Sequence, residues 1–267
     1  MEHNLCLTVQ YDGGAYVGWQ LQPLVQGFTV QYHLEQALAK VYGKEIRLHG
    51  AGRTDRGVHA FGQCCSYMTT ADIPLTKLPS VINRKLPPDI RVTKAEEKPL
   101  AFDARFSAQG KYYRYLLQQG DGVNLFTDRY SWRVKEPLDL AAMREAAHCL
   151  LGEHDFRHFT VVGSPVSSYV RTLYRLEITE WEAKDSPLPW SAWTAPLAIH
   201  VEGDGFLYKM VRIITGRLVA IGQGKYPPSA MAGFLANGGA QQIPPAPAQG
   251  LMLMRVYYDN PWENGQK

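Results

Sequence analysis

Residues 51–60 read AGRTDRGVHA, a short stretch that holds two arginines, one aspartate and two glycines. Asp55 lies between Arg53 and Arg56, so cations flank a carboxylate on both sides. Neighbouring cations favour the charged form of a carboxylate, and an ionised carboxylate can act as a nucleophile or a base. An aspartate that pairs with an arginine or caps a turn would have the same sequence context. The stretch alone therefore leaves a catalytic and a structural interpretation open.

The segments around this stretch show strand and helix patterns in turn. Apolar alternation predicts strands at LCLTVQYDG (5–13), EIRLHGAGRTD (45–55), GQCCSYMTT (62–70) and IRVTKAEEK (90–98). Helical spacing predicts a helix over residues 30–43, with Thr29 before it and Gly43 as its stop. A short helix is expected around LTKLPSVINRK (75–85).

The second half of the chain repeats this mixture. Strands are predicted at KYYRYLLQQG (111–120), YVRTLYRLEITEWE (169–182, with Tyr174, Leu176 and Ile178 on one face), LAIHVEGDG (197–205) and LMLMRVYYD (251–259). Helices are predicted at DLAAMREAAHCLLG (139–152), FLYKMVRIITGRLVAIG (206–222) and PPSAMAGFLANGG (227–239). Strands outnumber long helices and their linkers are mostly short, which predicts an α+β protein built on antiparallel sheets in two similar halves.

Composition sets outer limits on the function. The 267 residues are 45% hydrophobic, enough for one large or two medium domains, and the net charge of +3 is too small by itself to indicate nucleic acid. The four cysteines form no CxxC pair, which favours a reducing cytoplasm over a disulfide framework. The N-terminal residues lack a signal-peptide pattern, and no apolar run is long enough to predict a membrane span.

A second basic segment, RFSAQGKYYRY (105–115), mixes cations with aromatic rings. On a strand, Tyr113 and Tyr115 share one face, while Tyr112 and Arg114 share the other. Aromatic rings beside cations suit a stacked base and its phosphates. A sheet with a tyrosine-rich core face explains the same pattern equally well.

The predicted helix 206–222 carries two cations among apolar residues. Lys209 and Arg212 are three residues apart, so on a helix they share a face. The apolar neighbours of Arg212 predict partial burial, and a buried arginine requires a carboxylate, for which Asp55 is a candidate. Snorkelling of the arginine to the surface is the alternative.

Other catalytic patterns are weak or missing. His154 and His158 have the i, i+4 spacing of a zinc site on a helix, but no third ligand stands out, so no metal is predicted. No GxGxxG or GxxxxGK[ST] motif predicts a nucleotide cofactor, and no GxSxG motif predicts a serine hydrolase.

Taken together, these segments resemble the TruA family of tRNA pseudouridine synthases over nearly the whole chain. The stretch GAGRTDRGVHAFGQ (50–63) resembles the catalytic motif of that family. Further matching stretches are YDGGAYVGWQ (11–20), TVQYHLEQAL (29–38), FDARFSAQGKYYRY (102–115), VRTLY (170–174), the helix 206–222 and AQGL (248–251). The chain departs from the family at Met252, where tyrosine is frequent, at Arg56, and at Cys64 and Cys65.

The resemblance implies a pseudouridine synthase fold with two RRM-like halves whose antiparallel sheets meet at a central active-site cleft. Residues 1–101 would carry the aspartate motif, and residues 102–267 the tyrosine motif and the arginine helix. It also implies a cytoplasmic homodimer that converts uridines 38 to 40 of the tRNA anticodon stem-loop to pseudouridine without metal or organic cofactor. Asp55 would be the catalytic aspartate, Tyr113 would pack at the target base, Arg212 would pair with Asp55, and Arg53 would assist base flipping.

Binding and chemistry follow from these assignments as expectations. Phosphate contacts are expected from basic clusters that include Arg56, Arg84, Lys111, Arg114, Arg171, Lys209 and Arg217. Val58, Phe206 and Met210 are expected to exclude water from the detached base. Asp55 could attack the sugar or the base, or remove a sugar proton, and the sequence leaves these routes open. A nucleoside or glycoside hydrolase, which normally needs two carboxylates, and a catalytically silent RNA-binding module rank below the synthase.

Overall fold

The computed structural model of the chain describes residues 2–122, 125–161, 166–180, 197–240 and 242–262. The chain forms two compact units, the first made of Met1–Gln109 with Met252–Gln266 and the second of Gly110–Leu251. The boundary between residues 101 and 102 that the sequence predicted stays a prediction. Residues 102–109 and the last strand from Met252 onward belong to the first unit.

The described residues form ten strands and six α-helices. The strands are β1 (His3–Tyr11), β2 (His49–Gly50), β3 (His59–Thr69), β4 (Ile90–Lys98), β5 (Gly110–Gln119), β6 (Trp132–Val134), β7 (Gly152–Asp155), β8 (Val170–Glu180), β9 (Leu197–Gly203) and β10 (Leu251–Tyr257). The helices are α1 (Val30–Tyr42), α2 (Leu78–Asn83), α3 (Leu125–Asp128), α4 (Leu140–His148), α5 (Met210–Gly222) and α6 (Ala230–Asn237). The predicted α+β class with mostly antiparallel pairing is confirmed.

The sheet of the first unit has the strand order β4-β1-β3-β10, with β2 beside β3. All of its pairs are antiparallel except β3 with β10, where Met252 lies opposite His59. Helix α1 begins where predicted, because the Thr29 hydroxyl accepts a hydrogen bond from the Tyr32 N–H. It ends at Gly43, whose φ of 68° is accessible to glycine at little cost.

The sheet of the second unit has the order β5-β9-β8-β7, with β6 parallel to β5. Strand β5 buries Tyr113 and Tyr115 on one face and leaves Tyr112 and Arg114 half-buried on the other, which confirms the predicted alternation. Helix α4 packs against β8 and α5. No helix in the described ranges has the length and apolarity that crossing a membrane would require.

Several local predictions are wrong, each for an identifiable reason. The strand expected over 45–55 has only the two residues of β2, because the chain turns away into a loop. In β8, a register shift between Leu173 and Arg175 reverses the alternation, so Leu173 is buried and Tyr174 is exposed. The short elements α3, β6 and β7, three or four residues long, have no counterpart among the predicted helices and strands.

The two histidines with i, i+4 spacing lie in different elements. His154 lies in β7, whereas His158 lies in a short 3₁₀ turn, so the i, i+4 spacing does not place the two on one helical face. The His154 ring bonds to the Leu151 carbonyl at 2.8 Å. The described residues contain no group of three or more potential metal ligands.

The structure differs from the predicted helix 206–222 at two cations, Lys209 and Arg217. It begins at Met210, and Lys209 precedes it with a left-handed φ of 60°, so Lys209 shares no helical face with Arg212. Arg217, expected at a phosphate, is buried: its guanidinium lies 4.0 Å from the Phe159 ring centroid and donates to the His158 carbonyl. Burial lowers the pKa of Arg217 to about 10. A buried guanidinium cannot contact an RNA phosphate, so the assignment of Arg217 to RNA binding is wrong.

We predict a pH-dependent stability that originates at His200. Its ring bonds to the Tyr112 hydroxyl at 2.6 Å and to Thr179 at 3.0 Å. Burial, helped by Arg175 and Arg114, lowers the pKa of His200 to about 4. Because the folded state favours the neutral ring, its stabilisation is complete above the unfolded pKa of about 6.5 and is lost as the pH falls towards 4.

The measurement is the melting temperature at pH 7 and pH 4.5. The fall in Tm between these values should be smaller in His200→Asn than in the wild type, by about 2–4 °C. His49→Asn, at an exposed histidine, should follow the wild type. Equal falls in wild type and His200→Asn would show that His200 does not titrate in this range.

Candidate active site

Asp55 lies in the loop of residues 51–58 between β2 and β3, here named the aspartate loop. Gly57 has a φ of 79°, and the Val58 N–H donates to the Asp55 carbonyl at 3.2 Å, which closes a tight turn directly after the aspartate. Asp55 is half-buried between the exposed Arg53 and Arg56. The loop therefore carries a partly covered aspartate with an exposed arginine on each side in the sequence.

Residues 12–19, here named the glycine turn, hold the aspartate loop on both sides of Asp55. The Trp19 N–H donates to the Thr54 carbonyl at 3.2 Å, and a Cβ on Gly18 would lie 2.6 Å from that same oxygen. On the other side, a Cβ on Gly13 would lie 2.0 Å from the Val58 carbonyl oxygen. Backbone therefore packs directly on backbone, which explains why glycines follow the first strand.

Polar groups of neighbouring residues bond to three further residues of the aspartate loop. The Gln63 side chain donates to the Gly52 carbonyl at 2.9 Å, and the Ala51 N–H donates to the Cys64 carbonyl at 2.8 Å. The hydroxyls of Tyr11 and Thr54 are hydrogen-bonded at 2.8 Å. Burial raises the pKa of Tyr11, so its phenol stays neutral.

The two arginines of the loop have different surroundings. Arg56 Nη2 donates to the Gln26 carbonyl at 3.3 Å, which ties the guanidinium to a short 3₁₀ turn before α1. Arg53 is exposed beside Asp55. The aspartate loop thus has one cation attached to the protein and one directed to solvent.

Tyr113 and Arg212, the other predicted site residues, belong to the second unit. The Tyr113 ring is 7% exposed and meets Phe206 edge-on with ring centroids 5.2 Å apart. Arg212 lies in the first turn of α5, where its Nε donates to the Ala246 carbonyl at 2.7 Å and its own carbonyl accepts from the Ala246 N–H. This reciprocal pair of bonds fixes the direction of the Arg212 side chain. The approach of Asp55 to Tyr113 and Arg212 stays a prediction.

The remaining predicted cations are spread over both units. Arg84 is exposed at the end of α2 in the first unit. In the second unit, Lys111 and Arg114 lie on opposite faces of β5 by alternation. Arg171 Nη1 donates to the Ser168 carbonyl at 3.1 Å, and the Lys209 ammonium lies 5.1 Å from the Tyr208 ring centroid. Their contact with RNA stays a prediction.

Sequence reasoning missed one contact beside the aspartate loop. His59 Nδ1 lies 3.0 Å from the Gly13 nitrogen and 3.1 Å from Asp12 Oδ1. Asp12 before two glycines is a recognisable turn signal. The partnership with His59 had no signal, because the two residues are far apart in the sequence and meet only when β1 pairs with β3.

We predict that Gly13→Ala disturbs the aspartate loop, whereas Gly14→Ala is tolerated better. A Cβ added at Gly13 would overlap the Val58 carbonyl, and overpacking of this kind costs about 1–3 kcal/mol of unfolding free energy. At Gly14, which is exposed, the nearest atom is Asp12 Oδ1 at 3.1 Å, a far looser contact than the 2.0 Å at Gly13. Urea unfolding of both variants measures the difference. A Gly13→Ala variant as stable as Gly14→Ala would contradict the close contact.

Comparison with known proteins assigns the family. A sequence model described as tRNA pseudouridine synthase matches residues 7–107 and 146–259, which include Asp55 and Arg212. The tRNA pseudouridine synthase A of Moorella thermoacetica is 42% identical over 255 residues, covering 95% of this chain and 99% of that protein. The protein of the same name from Geotalea daltonii is 40% identical over 257 residues, covering 96% and 99%. The chain therefore belongs to the tRNA pseudouridine synthase family.

Proposed function

We propose that this protein isomerises uridine to pseudouridine in the anticodon stem-loop of tRNA, at positions 38 to 40, with Asp55 as the catalytic residue. The observation that carries the proposal is the aspartate loop itself. Arg53 and Arg56 flank the half-buried Asp55 in the sequence, and the glycine turn holds the backbone on both sides of Asp55. The loop lies within the part of the chain that matches the tRNA pseudouridine synthase family.

The reaction breaks the C1′–N1 bond of uridine and forms a C1′–C5 bond. The uracil leaves the sugar, turns and reattaches; C5 loses its proton and N1 gains one, so substrate and product have the same composition. An ionised Asp55 can begin this sequence by attack at C1′ of the sugar or C6 of the base, or by removing a sugar proton. Each route needs a charged, oriented carboxylate.

Arg212 and Tyr113 complete the proposed site. Arg212 pairs with Asp55 and favours its charged form, and the bonds from Arg212 to Ala246 support this role by holding the arginine in place. Tyr113 stacks on the flipped uracil, with Phe206 against its edge. Together with the buried Val58 and Met210, these rings limit the access of water to the detached base.

The RNA reaches the site through base flipping and phosphate contacts. Opening a paired uridine costs on the order of a few kcal/mol, and the exposed Arg53 fills the vacated space or holds a phosphate. The phosphate contacts come from Arg56, Arg84, Lys111, Arg114, Arg171 and Lys209. We further propose that the protein acts in the cytoplasm as a homodimer, which doubles these cations on one tRNA.

Pseudouridine mapping tests the proposed function. Transfer RNA from cells that lack this protein is incubated with the purified protein, and pseudouridine is located by carbodiimide labelling and primer extension. The proposal expects new pseudouridine at positions 38 to 40. Incorporation of a water oxygen into a released product would indicate a hydrolase, and tRNA binding without any product would indicate a silent binding module. Either result would overturn the proposal.

We predict that Asp55→Asn stops isomerisation while tRNA binding survives. The amide has nearly the same shape but is neither a nucleophile nor a base, so the turnover number should fall at least about 100-fold. Tritium release from 5-tritiated uridine in tRNA measures turnover, and filter binding measures Kd. Asp72→Asn, at an exposed aspartate of the same unit, is the control. Turnover of Asp55→Asn within tenfold of wild type would remove Asp55 from the catalytic role.

We also predict that Arg84→Ala weakens tRNA binding and flattens its salt dependence. Each lost phosphate contact should reduce the slope of log K against log salt concentration by about one unit. Lys94→Ala is the control, because Glu96 already pairs with Lys94 at 3.0 Å. The modified position should not change, because phosphate contacts position RNA without reading its sequence. An unchanged slope for Arg84→Ala would place Arg84 outside the RNA-binding surface.

A further inference from the structure

His59 is a buried residue for which the proposed chemistry has no use. It is the first residue of β3 and lies directly after the aspartate loop, with its side chain 3% exposed. Its Nδ1 lies between two groups of the glycine turn, the Gly13 N–H at 3.0 Å and Asp12 Oδ1 at 3.1 Å. A buried imidazole at this place can hold the loop and the turn together.

The glycine turn is itself firmly anchored. Asp12 Oδ1 accepts from the Gly14 N–H at 2.9 Å, and the Asp12 N–H donates to the Asp89 carbonyl at 3.0 Å. The Gly13 carbonyl accepts from the Tyr16 N–H at 3.0 Å. A residue that bonds to the glycine turn is therefore attached to a well-ordered part of the first unit.

The glycine turn contacts the aspartate loop at one point before Asp55 and at another point after it. Before the aspartate, the Trp19 N–H holds the Thr54 carbonyl. After it, Gly13 packs on the Val58 peptide, and His59 bonds to Gly13 directly beyond that peptide. Loss of the His59 bond would release the second contact while leaving the first in place.

We propose that His59 is a positioning residue for catalysis, which acts through Gly13 and Val58 to set the direction of the Asp55 carboxylate. The proposal rests on the catalytic role proposed for Asp55. His59 touches neither the uracil nor the sugar in this scheme. Its contribution is to the rate of the chemical step, since a displacement of about 1 Å at a reacting group can cost about 100-fold in rate.

The chemistry of the imidazole identifies the atom that matters. With the proton on Nε2, the lone pair of Nδ1 accepts from the Gly13 N–H; with a proton on Nδ1, the ring donates to Asp12 Oδ1. Either bond ties the start of β3 to the glycine turn. A replacement must therefore offer a polar atom at the position of Nδ1. The amide of asparagine reaches that position, whereas the amide of glutamine extends towards Nε2.

The experiment compares His59→Asn, His59→Gln and His59→Phe with the wild type on whole tRNA. Single-turnover rate constants, tRNA Kd and melting temperature are measured for each, at a temperature where every variant is folded. His59→Phe and His59→Gln should be slower by about 100-fold with unchanged Kd, whereas His59→Asn should recover most of the rate. His49→Phe, at an exposed histidine, is the control.

Hydrogen exchange supplies a second readout that does not depend on activity. The amide of Val58 is bonded to the Asp55 carbonyl, so its exchange reports whether the aspartate loop is held. Exchange of residues 51–60 should accelerate in His59→Phe and return towards the wild-type rate in His59→Asn. The Leu34 segment of α1, which is buried elsewhere in the same unit, should exchange as in the wild type.

Three results would overturn the positioning role: a wild-type rate in His59→Phe, an equal loss of rate in His59→Asn and His59→Phe, or unchanged exchange of the loop in His59→Phe. Failure of the proposed function has a different signature. An inactive wild type, or a fully active Asp55→Asn, would remove the catalytic role of Asp55, and the exchange measurement would still test whether His59 holds the loop.

Discussion

The contact between the glycine turn and the aspartate loop is the constraint on which the placement of Asp55 depends. Residues 52–58 leave the sheet between β2 and β3, after the Ala51 N–H has made a last bond to the Cys64 carbonyl of β3. The glycine turn replaces the ladder: the Trp19 N–H bonds to Thr54, and Gly13 lies on the Val58 peptide. Such close backbone contact is possible only where there is no Cβ. Gly13 and Gly18, far from Asp55 in the sequence, therefore determine how firmly the loop around Asp55 is held.

Helix α5 carries two arginines, Arg212 and Arg217, that have different surroundings. Arg212, at its first turn, keeps a half-buried guanidinium bonded to a carbonyl, where it remains suited to a carboxylate partner. Arg217 lies over Phe159 and close to Phe234, where burial lowers its pKa. Its ring contacts provide a cation–π attraction in place of solvation. The first arginine is thus held against the Ala246 backbone, and the second joins α5 to α6 and the turn at Arg157–Phe159.

An isomerisation within one nucleotide demands a charged carboxylate, a held base and little water. In the proposed scheme, the Asp55 carboxylate lies on a loop held by Trp19, Gly13 and His59. In the same scheme, the Tyr113 ring, which packs on Phe206, and Arg212, which bonds to Ala246, meet the other requirements. Rigid support matters here because the detached uracil must turn and reattach before water intervenes. The rigidity of the aspartate loop is thus part of the proposed mechanism rather than a separate property of the fold.

Sequence alone determined the features that are local. The start of α1 at Thr29, its end at Gly43, the faces of β5 and the family signature around Asp55 all depend on residues close together in the chain. Tertiary structure decided the rest. The exposure of Tyr174 follows from a register shift against β9, the burial of Arg217 from rings on other elements, and the bond of His59 to Gly13 from the pairing of β1 with β3. Side-chain periodicity describes one element at a time, whereas these three depend on which elements pack together, and that is known only once the chain is folded.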